Sequence, residues 1–352
     1  MRLLITGGAG FIGSAAVRHA IQAGHEVLTI DKLTYAGRRE ALADVMTSPQ
    51  HHFLEADIAD GTTMQQAFRD FDPDAVIHLA AESHVDRSID APAVFITTNV
   101  IGTFTLLEVA LGHHARLPIA RRERFRFIQV STDEVFGTLG DTGTFDAKSP
   151  YAPHSPYAAS KASADHVARA WHATYGLPVI VANCSNNYGP RQHAEKLIPT
   201  VIRCALAGAP IPIYGNGANQ RDWLHVEDHV AGLFAALERG RPGATYLFGS
   251  GNSIRNMDLA EMICRRLDAR RPRANGAPYA KQIGLVPDRP GHDYRYAIDP
   301  SVAERELGWR AAHSLDAGLG QTIDWYLANS DWLGSMADHA RLGTRRTEGT
   351  DQ

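Results

Sequence analysis

Short apolar runs rich in β-branched residues alternate with segments of helical periodicity from the first residues onward. The runs at 2–6, 26–30, 51–57, 74–81, 124–132 and 178–184 read as strands. Between them, 11–23, a stretch near 38–47, 61–70, 93–114 and 157–175 repeat apolar residues at helical spacing. Strands that alternate with helices need crossover connections. The pattern therefore predicts a parallel sheet covered on both faces, a Rossmann-like doubly wound α/β fold.

After Cys184 the texture changes, and Gly and Pro interrupt the chain often ("NNYGPRQ", "AGAPIPIYGNG", "PDRPGHDY"). Helical periodicity persists near 195–207, 226–239, 255–269 and 314–328. We expect residues 1–184 to form a dinucleotide-binding domain and 185–332 mainly a smaller α/β substrate lobe, with a polar tail over 333–352. The stretch 226–239 is apolar enough to return to the first domain.

Composition narrows the function without choosing it. With 352 residues, 44% apolar, 21% charged and a formal net charge of −4, the chain has no global basic field. No nucleic-acid partner is expected, and an anionic ligand would need a local basic site. Three scattered cysteines, Cys184, Cys204 and Cys264, suit a reducing cytoplasm better than a disulfide framework. No apolar run reaches the roughly 20 residues of a membrane helix, so no membrane partner is expected. The N-terminal "MRLLITGG" reads as a strand rather than a signal peptide. His225 and His229 in "HVEDH" stand one helical turn apart, but no third ligand is evident, and no metal is expected.

"TGGAGFIG" (6–13) joins the first strand to the first helix, and its glycines fit either of two spacings: Gly8, Gly10 and Gly13, or Gly7, Gly10 and Gly13. Such a loop lets the backbone approach a pyrophosphate at a helix N-terminus. Asp31 ends the second strand, where it can accept adenosine ribose hydroxyls and repel a 2′-phosphate. This favours NAD over NADP, with Lys32, Arg38 and Arg39 the residues that leave NADP open. Asp57 ends the third strand and is expected near adenine. Leu79, Ala80 and Ala81 end the fourth and are expected to line the cofactor.

Tyr157 and Lys161 in "SPYAASKASADH" stand four residues apart on one helical face. An ammonium beside a phenol favours phenolate, which can take a proton from a sugar hydroxyl as a hydride leaves. "VSTDEVFG" (130–137) ends an apolar run in Thr132, Asp133 and Glu134, two adjacent carboxylates at the edge where ligands bind in such folds.

With these residues in view, the chain resembles the extended short-chain dehydrogenase/reductases. Within them it resembles the nucleoside-diphosphate-hexose 4,6-dehydratases, most closely those acting on dTDP-glucose. The resemblance runs from Met1 to about Trp332 through "TGGAGFIG", "IDKLTYAG", "HLAAESHVDRSI", "STDEVFG", "SPYAASKA", "NCSNNYGP", "EKLIP", "RDWLHVEDH" and "RPGHDYRYAID". It implies NAD as cofactor, dTDP-glucose as substrate, and a homodimer that pairs helices 93–114 and 157–175. It implies that Glu134 is the C5 base, Asp133 the C6 acid, and Thr132 a partner of the C4 hydroxyl beside Tyr157. To the cofactor residues it adds Phe11, Ile12, Lys32, Leu33, Thr34, Ile58, Thr98 and Asn186. Arg221 and Arg289 are the expected diphosphate ligands, because guanidinium matches phosphate oxygens. Ser83, Asn187, Lys196, Leu197, Pro212, Ile213, Tyr214, Asn256, Asp288, Pro290, Gly291 and His292 complete the implied substrate site.

The chain departs from the family pattern at Phe136 (usually Tyr), Ala194 (usually Pro), Ser253 (commonly Glu) and Tyr294 (usually basic). Three other readings remain open at this stage. They are a nucleotide-sugar 4-epimerase, which would leave Asp133 and Glu134 idle, a dehydratase of another nucleotide base, and a non-catalytic NAD-binding regulator.

Overall fold

A computed structural model describes residues 1–334. Residues 333–334 close a final helical turn, Ser330–Gly334, and the rest of the expected polar tail lies outside the described residues. The strands β1 (Arg2–Thr6), β2 (Glu26–Asp31), β3 (His51–Glu55), β4 (Ala75–His78), β5 (Arg126–Thr132) and β6 (Val179–Cys184) follow the sequence pattern. With the strand Thr245–Phe248 they form a seven-stranded sheet in the order Thr245–Phe248, β6, β5, β4, β1, β2, β3. All pairings are parallel. The fold is the Rossmann-like one expected.

Successive residues of each strand feed opposite faces. Leu3, Ile5, Val27, Ile77, Ile128 and Ile180 pack with the helices Phe11–Gln22 and Val226–Arg239. Leu4, Leu28, Val76, Phe127 and Val179 pack on the other side with Gly61–Phe71 and Thr103–Arg116. The order reverses between β1 and β4, so the carboxyl ends of these two strands open a crevice. Thr6 aligns with both Ile30 and His78, and Thr132 aligns with Cys184. The glycine loop, Asp31, Leu79–Ala81, Thr132–Glu134 and Asn186 therefore all emerge at one sheet edge.

Three expectations need correction. The helix near 38–47 is a single 3-10 turn, Arg39–Leu42, followed by further turns. Arg18 Nη1 donates to Ala41 O (2.8 Å), and Val45 N bonds back only three residues, to Leu42 O. The third and fourth strands stop at Glu55 and His78, short of 57 and 81. Finally, a long apolar helix does exist. Pro92–Arg116 runs 25 residues and is apolar enough, by length and composition, to cross a membrane. Half of its most apolar window is buried in the fold, where Leu106, Leu107 and Ala110 pack with Phe68, Phe125 and Val179. Core packing explains its composition. Within it, Ile96–Gly102 is π-helical, a form often found at functional sites.

The chain divides into two compact units. The first holds Met1–Asn187, Arg221–Ser253 and Asp293–Leu315; its second segment contains the helix Val226–Arg239. The second holds Tyr188–Gln220, Ile254–His292 and the chain from Asp316. In it, the strands Ile211–Tyr214 and Ile283–Val286 pair in parallel beside the helices Leu197–Ala207 and Asn256–Arg270.

Candidate active site

The glycine loop is shaped by close backbone approach. Gly7 has φ +70°, and a Cβ there would lie 2.6 Å from Ala80 N. A Cβ on Gly13 would press into the Gly7 carbonyl. Gly10 is the N-terminal residue before the helix Phe11–Gln22, and Phe11 and Ile12 pack on the core beneath it. Asp31 does more than the sequence suggested. Its Oδ2 accepts from Ala9 N and its Oδ1 from Leu33 N, both at 2.9 Å. Its carboxylate thus ties the glycine loop to its own turn, where Leu33 adopts φ +52°. Each oxygen keeps a second lone pair for a ribose hydroxyl. Lys32 Nζ reaches Thr98 Oγ1 (2.9 Å) and Asp57 Oδ2 (3.4 Å), while Asp57 Oδ1 accepts from Ala59 N. Lys32, Asp57 and Thr98, distant in sequence, are therefore brought together. Thr34 lies in the same turn, its carbonyl accepting from Gly37 N. Ile58 is buried against Gly102.

Beneath the crevice is a polar chain that no motif announced. Thr103 Oγ1 donates to Asn99 O, so it accepts from His78 Nε2 (2.9 Å). His78 Nδ1 in turn accepts from Thr6 Oγ1 (2.7 Å), which itself accepts from Ala80 N. Burial, with the nearby Lys161 charge, pushes the His78 pKa down to about 3, so it acts here as a neutral bridge. Asn99 Oδ1 accepts from Glu82 N, and its Nδ2 donates to Glu82 O and Ser160 Oγ. Ser160 Oγ donates to Tyr157 O. The π-helical segment thereby fixes both the loop carrying Ser83 and the helix Pro156–Tyr175 that carries Tyr157.

At the end of β5 the chain turns into a 3-10 helix, Asp133–Phe136, with Thr132 Oγ1 accepting from Glu134 N (3.3 Å). Asn183 Nδ2 holds Thr132 O at 2.9 Å. Asp133 is 1% exposed, and its Oδ2 has no hydrogen-bond partner among the described residues. Burial pushes its pKa well above the usual carboxylate range, and the charges of Glu134 and Asp222 add to this; Arg221 and a Thr132 hydrogen bond oppose it. Asp222 was not anticipated. It is fully buried and held by Ser250 N, Ser250 Oγ and Gly251 N.

The Tyr157 ring meets Phe95 edge-on at 6.3 Å. The expected phenolate is not produced by the polypeptide alone. Burial raises the Tyr157 pKa well above its usual value, and the charge of Glu134 adds to this. Lys161 Nζ donates to Val130 O at 2.6 Å. The Asn186 Oδ1 atom is buried without a partner among the described residues, and Asn187 accepts from His229 Nδ1 (2.9 Å) while donating to Ser185 O. Burial holds His229 neutral, with a pKa near 3. Among the described residues, no three His, Cys, Asp or Glu gather as metal ligands.

The residues expected to bind substrate divide between the two units. In the first, Arg221 is 7% exposed, donates to Asp293 O (2.9 Å) and Tyr294 O (3.3 Å), and stacks on Tyr296 at 4.2 Å. Its charge reaches Asp133, a closer tie to the acidic pair than the sequence suggested. In the second, Arg289 stacks on Tyr214 at 4.3 Å, His292 Nδ1 meets Asp288 Oδ1 at 2.6 Å, and Pro290 and Gly291 form the turn between them. Pro212 and Ile213 lie in the strand Ile211–Tyr214, Lys196 and Leu197 begin the helix Leu197–Ala207, and Asn256 begins Asn256–Arg270.

The departures from the family pattern have local explanations. Phe136 stacks on Phe145 and meets Tyr151 edge-on, each at 5.1 Å, in an apolar cluster that needs no hydroxyl. Tyr294 OH donates to Asp141, and Ser253 Oγ accepts from Arg295. Ala194 is buried, and its carbonyl accepts from Thr200.

Comparison with known proteins places this geometry among relatives. A family model described as GDP-mannose 4,6 dehydratase matches residues 4–322. The dTDP-glucose 4,6-dehydratase of Xanthomonas campestris pv. campestris is 51% identical over 335 residues, covering 95% of each chain. The structure of the Streptomyces venezuelae dTDP-glucose 4,6-dehydratase DesIV with NAD and dTDP bound superimposes with a TM-score of 0.87 at 44% identity, covering 96% of this chain and all of that one. A UDP-glucose 4-epimerase from Thermus thermophilus in complex with NAD is also similar in fold (TM-score 0.81), at 28% identity over 93% of this chain and 99% of its own.

Proposed function

The chain belongs to the GDP-mannose 4,6-dehydratase family, and from that membership and its site we infer that it is a lyase converting dTDP-glucose to dTDP-4-keto-6-deoxyglucose with NAD as cofactor. The single observation that carries this reading is the Asp133–Glu134 pair at the end of β5, one carboxyl buried with an oxygen unused, next to Tyr157. An epimerase would have no task for that pair. The residues present suit the dinucleotide: Gly7 and Gly13 leave room for no side chain, and the partnerless Asn186 Oδ1 is an acceptor for an amide donor.

When bound, NAD would be held by the glycine loop at Gly7, Gly10 and Gly13, by Asp31 and by Asn186, and would supply a reversible hydride acceptor between C4 and C6 of the sugar and a positive charge beside Tyr157. The protein's part is to position the sugar and move protons. Tyr157 takes the C4 hydroxyl proton, with Thr132 proposed to hold the same hydroxyl. The resulting ketone acidifies the C5 hydrogen. Glu134 removes that proton, and Asp133, held protonated by burial and by its acidic neighbours, gives its own to the departing C6 hydroxyl. Water leaves, and a proton returns to C5 as C6 is reduced. Arg221 and Arg289 are each proposed as diphosphate ligands, and Ser83, Asn187, Lys196, Leu197, Pro212, Ile213, Tyr214, Asn256, Asp288, Pro290, Gly291 and His292 as further ligands of the nucleotide sugar.

Substrate carrying deuterium at C4 tests the reaction. The label should appear in the C6 methyl group of the product, and in heavy water C5 should gain solvent deuterium. Label that never reaches the methyl group, or a C4 epimer as sole product, would overturn the reading.

We also propose a cytoplasmic homodimer. Three free, buried cysteines suit a reducing compartment. Val94, Ile96, Ile101 and Phe104 on Pro92–Arg116, and Tyr175 on Pro156–Tyr175, are exposed large apolar side chains of the kind that pair across an interface. Light scattering at micromolar protein should give twice the chain mass of 38.4 kDa; the monomer mass would refute pairing.

A further inference from the structure

The helix Pro156–Tyr175 carries more chemistry than Tyr157 and Lys161. At the same four-residue spacing follow Asp165 and Arg169, so all four project from one face over three turns. Asp165 is 0% exposed. Its Oδ2 accepts from Ser131 Oγ (2.5 Å) and Tyr151 OH (2.9 Å), and its Oδ1 from Gln129 Nε2 (3.4 Å). Arg169 Nη2 donates to Tyr151 OH (2.7 Å), which aims the phenol's own proton at Asp165. Every partner is a donor, the arrangement a carboxylate needs and a carboxylic acid does not. Fully burying a carboxylate is costly unless opposite charge lies close. The charges within reach are Lys161, one turn before it, and Arg169, one turn after.

We propose that Asp165 is a positioning residue of the active site, a buried counter-ion that keeps Lys161 an ammonium so that Tyr157 can ionise. The proposal rests on the Tyr157–Lys161 reading above. Lys161 is 6% exposed and buried among few countercharges. Burial lowers its pKa, and Asp165 is the first charge opposing this; the Cys184 thiol on β6, pushed up by burial, stays neutral and offers no countercharge. His78 on β4, neutral, offers no compensation. Tyr157 meanwhile faces Glu134, whose charge disfavours its phenolate; Asp133, protonated, and the neutral Cys184 thiol bring no positive charge to offset it. A neutral Lys161 would leave Tyr157 no fixed positive partner on its own helix face. Burial pushes the Asp165 pKa up; Lys161 opposes this first, and Ser131, Arg169 and Tyr151 add to the opposition from the far side.

Turnover measured against pH tests this in wild type, D165N, D165E and Y151F. In D165N, Lys161 gives up its proton at lower pH, so Tyr157 ionises only at higher pH. The acidic limb of kcat should move up by about one pH unit, lowering kcat about tenfold on that limb, with the deficit closing at alkaline pH. KM should change little. D165E, which restores the charge, should recover most of the wild-type profile, and Y151F should show a smaller shift in the same direction, a readout that survives if D165N fails to fold. A limb that stays in place, moves to lower pH, or drops equally at every pH would overturn the proposal. Y157F and K161M serve as controls: if they retain turnover, the Tyr157–Lys161 reading has failed, whereas their inactivity beside an unshifted D165N profile refutes the counter-ion alone.

Discussion

In Asp133→Asn, C4 oxidation should proceed while water elimination falls by roughly 100- to 10,000-fold, the usual loss when one positioned acid is removed. The enzyme would stall with a 4-keto sugar and reduced cofactor, visible as near-ultraviolet absorbance that rises on mixing and decays slowly. The asparagine has nearly the same shape, so the fold that buries Asp133 among Thr132, Asp222 and Arg221 should survive. Glu134→Gln should also stall, with a different signature: exchange of C5 hydrogen with heavy water, which Asp133→Asn preserves, should vanish. Because burial and two neighbouring carboxylates hold Asp133 protonated, wild-type elimination should fall as rising pH strips that proton. Residual elimination in Asp133→Asn should lose this alkaline decline. Keto-deoxy product at the wild-type rate from both variants would sink the acid–base assignment.

Much of this site was legible before any coordinates, for a physical reason. The glycine loop, Asp31 and the Tyr157–Lys161 spacing are local: a turn, a strand end and one helical turn encode them within a few residues. The seven-stranded sheet was less legible. Thr245–Phe248 pairs with β6 although some sixty residues separate them in sequence. A four-residue apolar run in Gly-rich surroundings carries no period long enough to mark it as a strand. The buried polar supports were invisible for a related reason. Asn99, Asp222 and Asp165 acquire meaning only through partners on other elements: Ser160 for Asn99, Ser250 for Asp222, Ser131 and Tyr151 for Asp165. Arg221 shows how folding adds to a sequence reading. Its charge suggested a phosphate ligand, and the fold adds that it is stacked on Tyr296 and bears on Asp133.

Tyr157→Phe should abolish the reaction one step earlier than the carboxylate variants do. Without the hydroxyl there is nothing to take the C4 proton, so no ketone forms and no reduced cofactor accumulates, even in a single turnover. The loss should be at least as large as that of Asp133→Asn, about 100- to 10,000-fold, and it should extend to every later step because each depends on the ketone. The substitution keeps the ring that meets Phe95 and removes only the hydroxyl, so binding of NAD and of dTDP should persist and can be checked by calorimetry. The double variant Tyr157→Phe/Asp133→Asn should then be no worse in C4 oxidation than Tyr157→Phe alone, because the second lesion lies downstream of the first. Reduced cofactor building up in Tyr157→Phe as fast as in Asp133→Asn would place the C4 base elsewhere. Glu134, whose charge already bears on Tyr157, would become the group to examine.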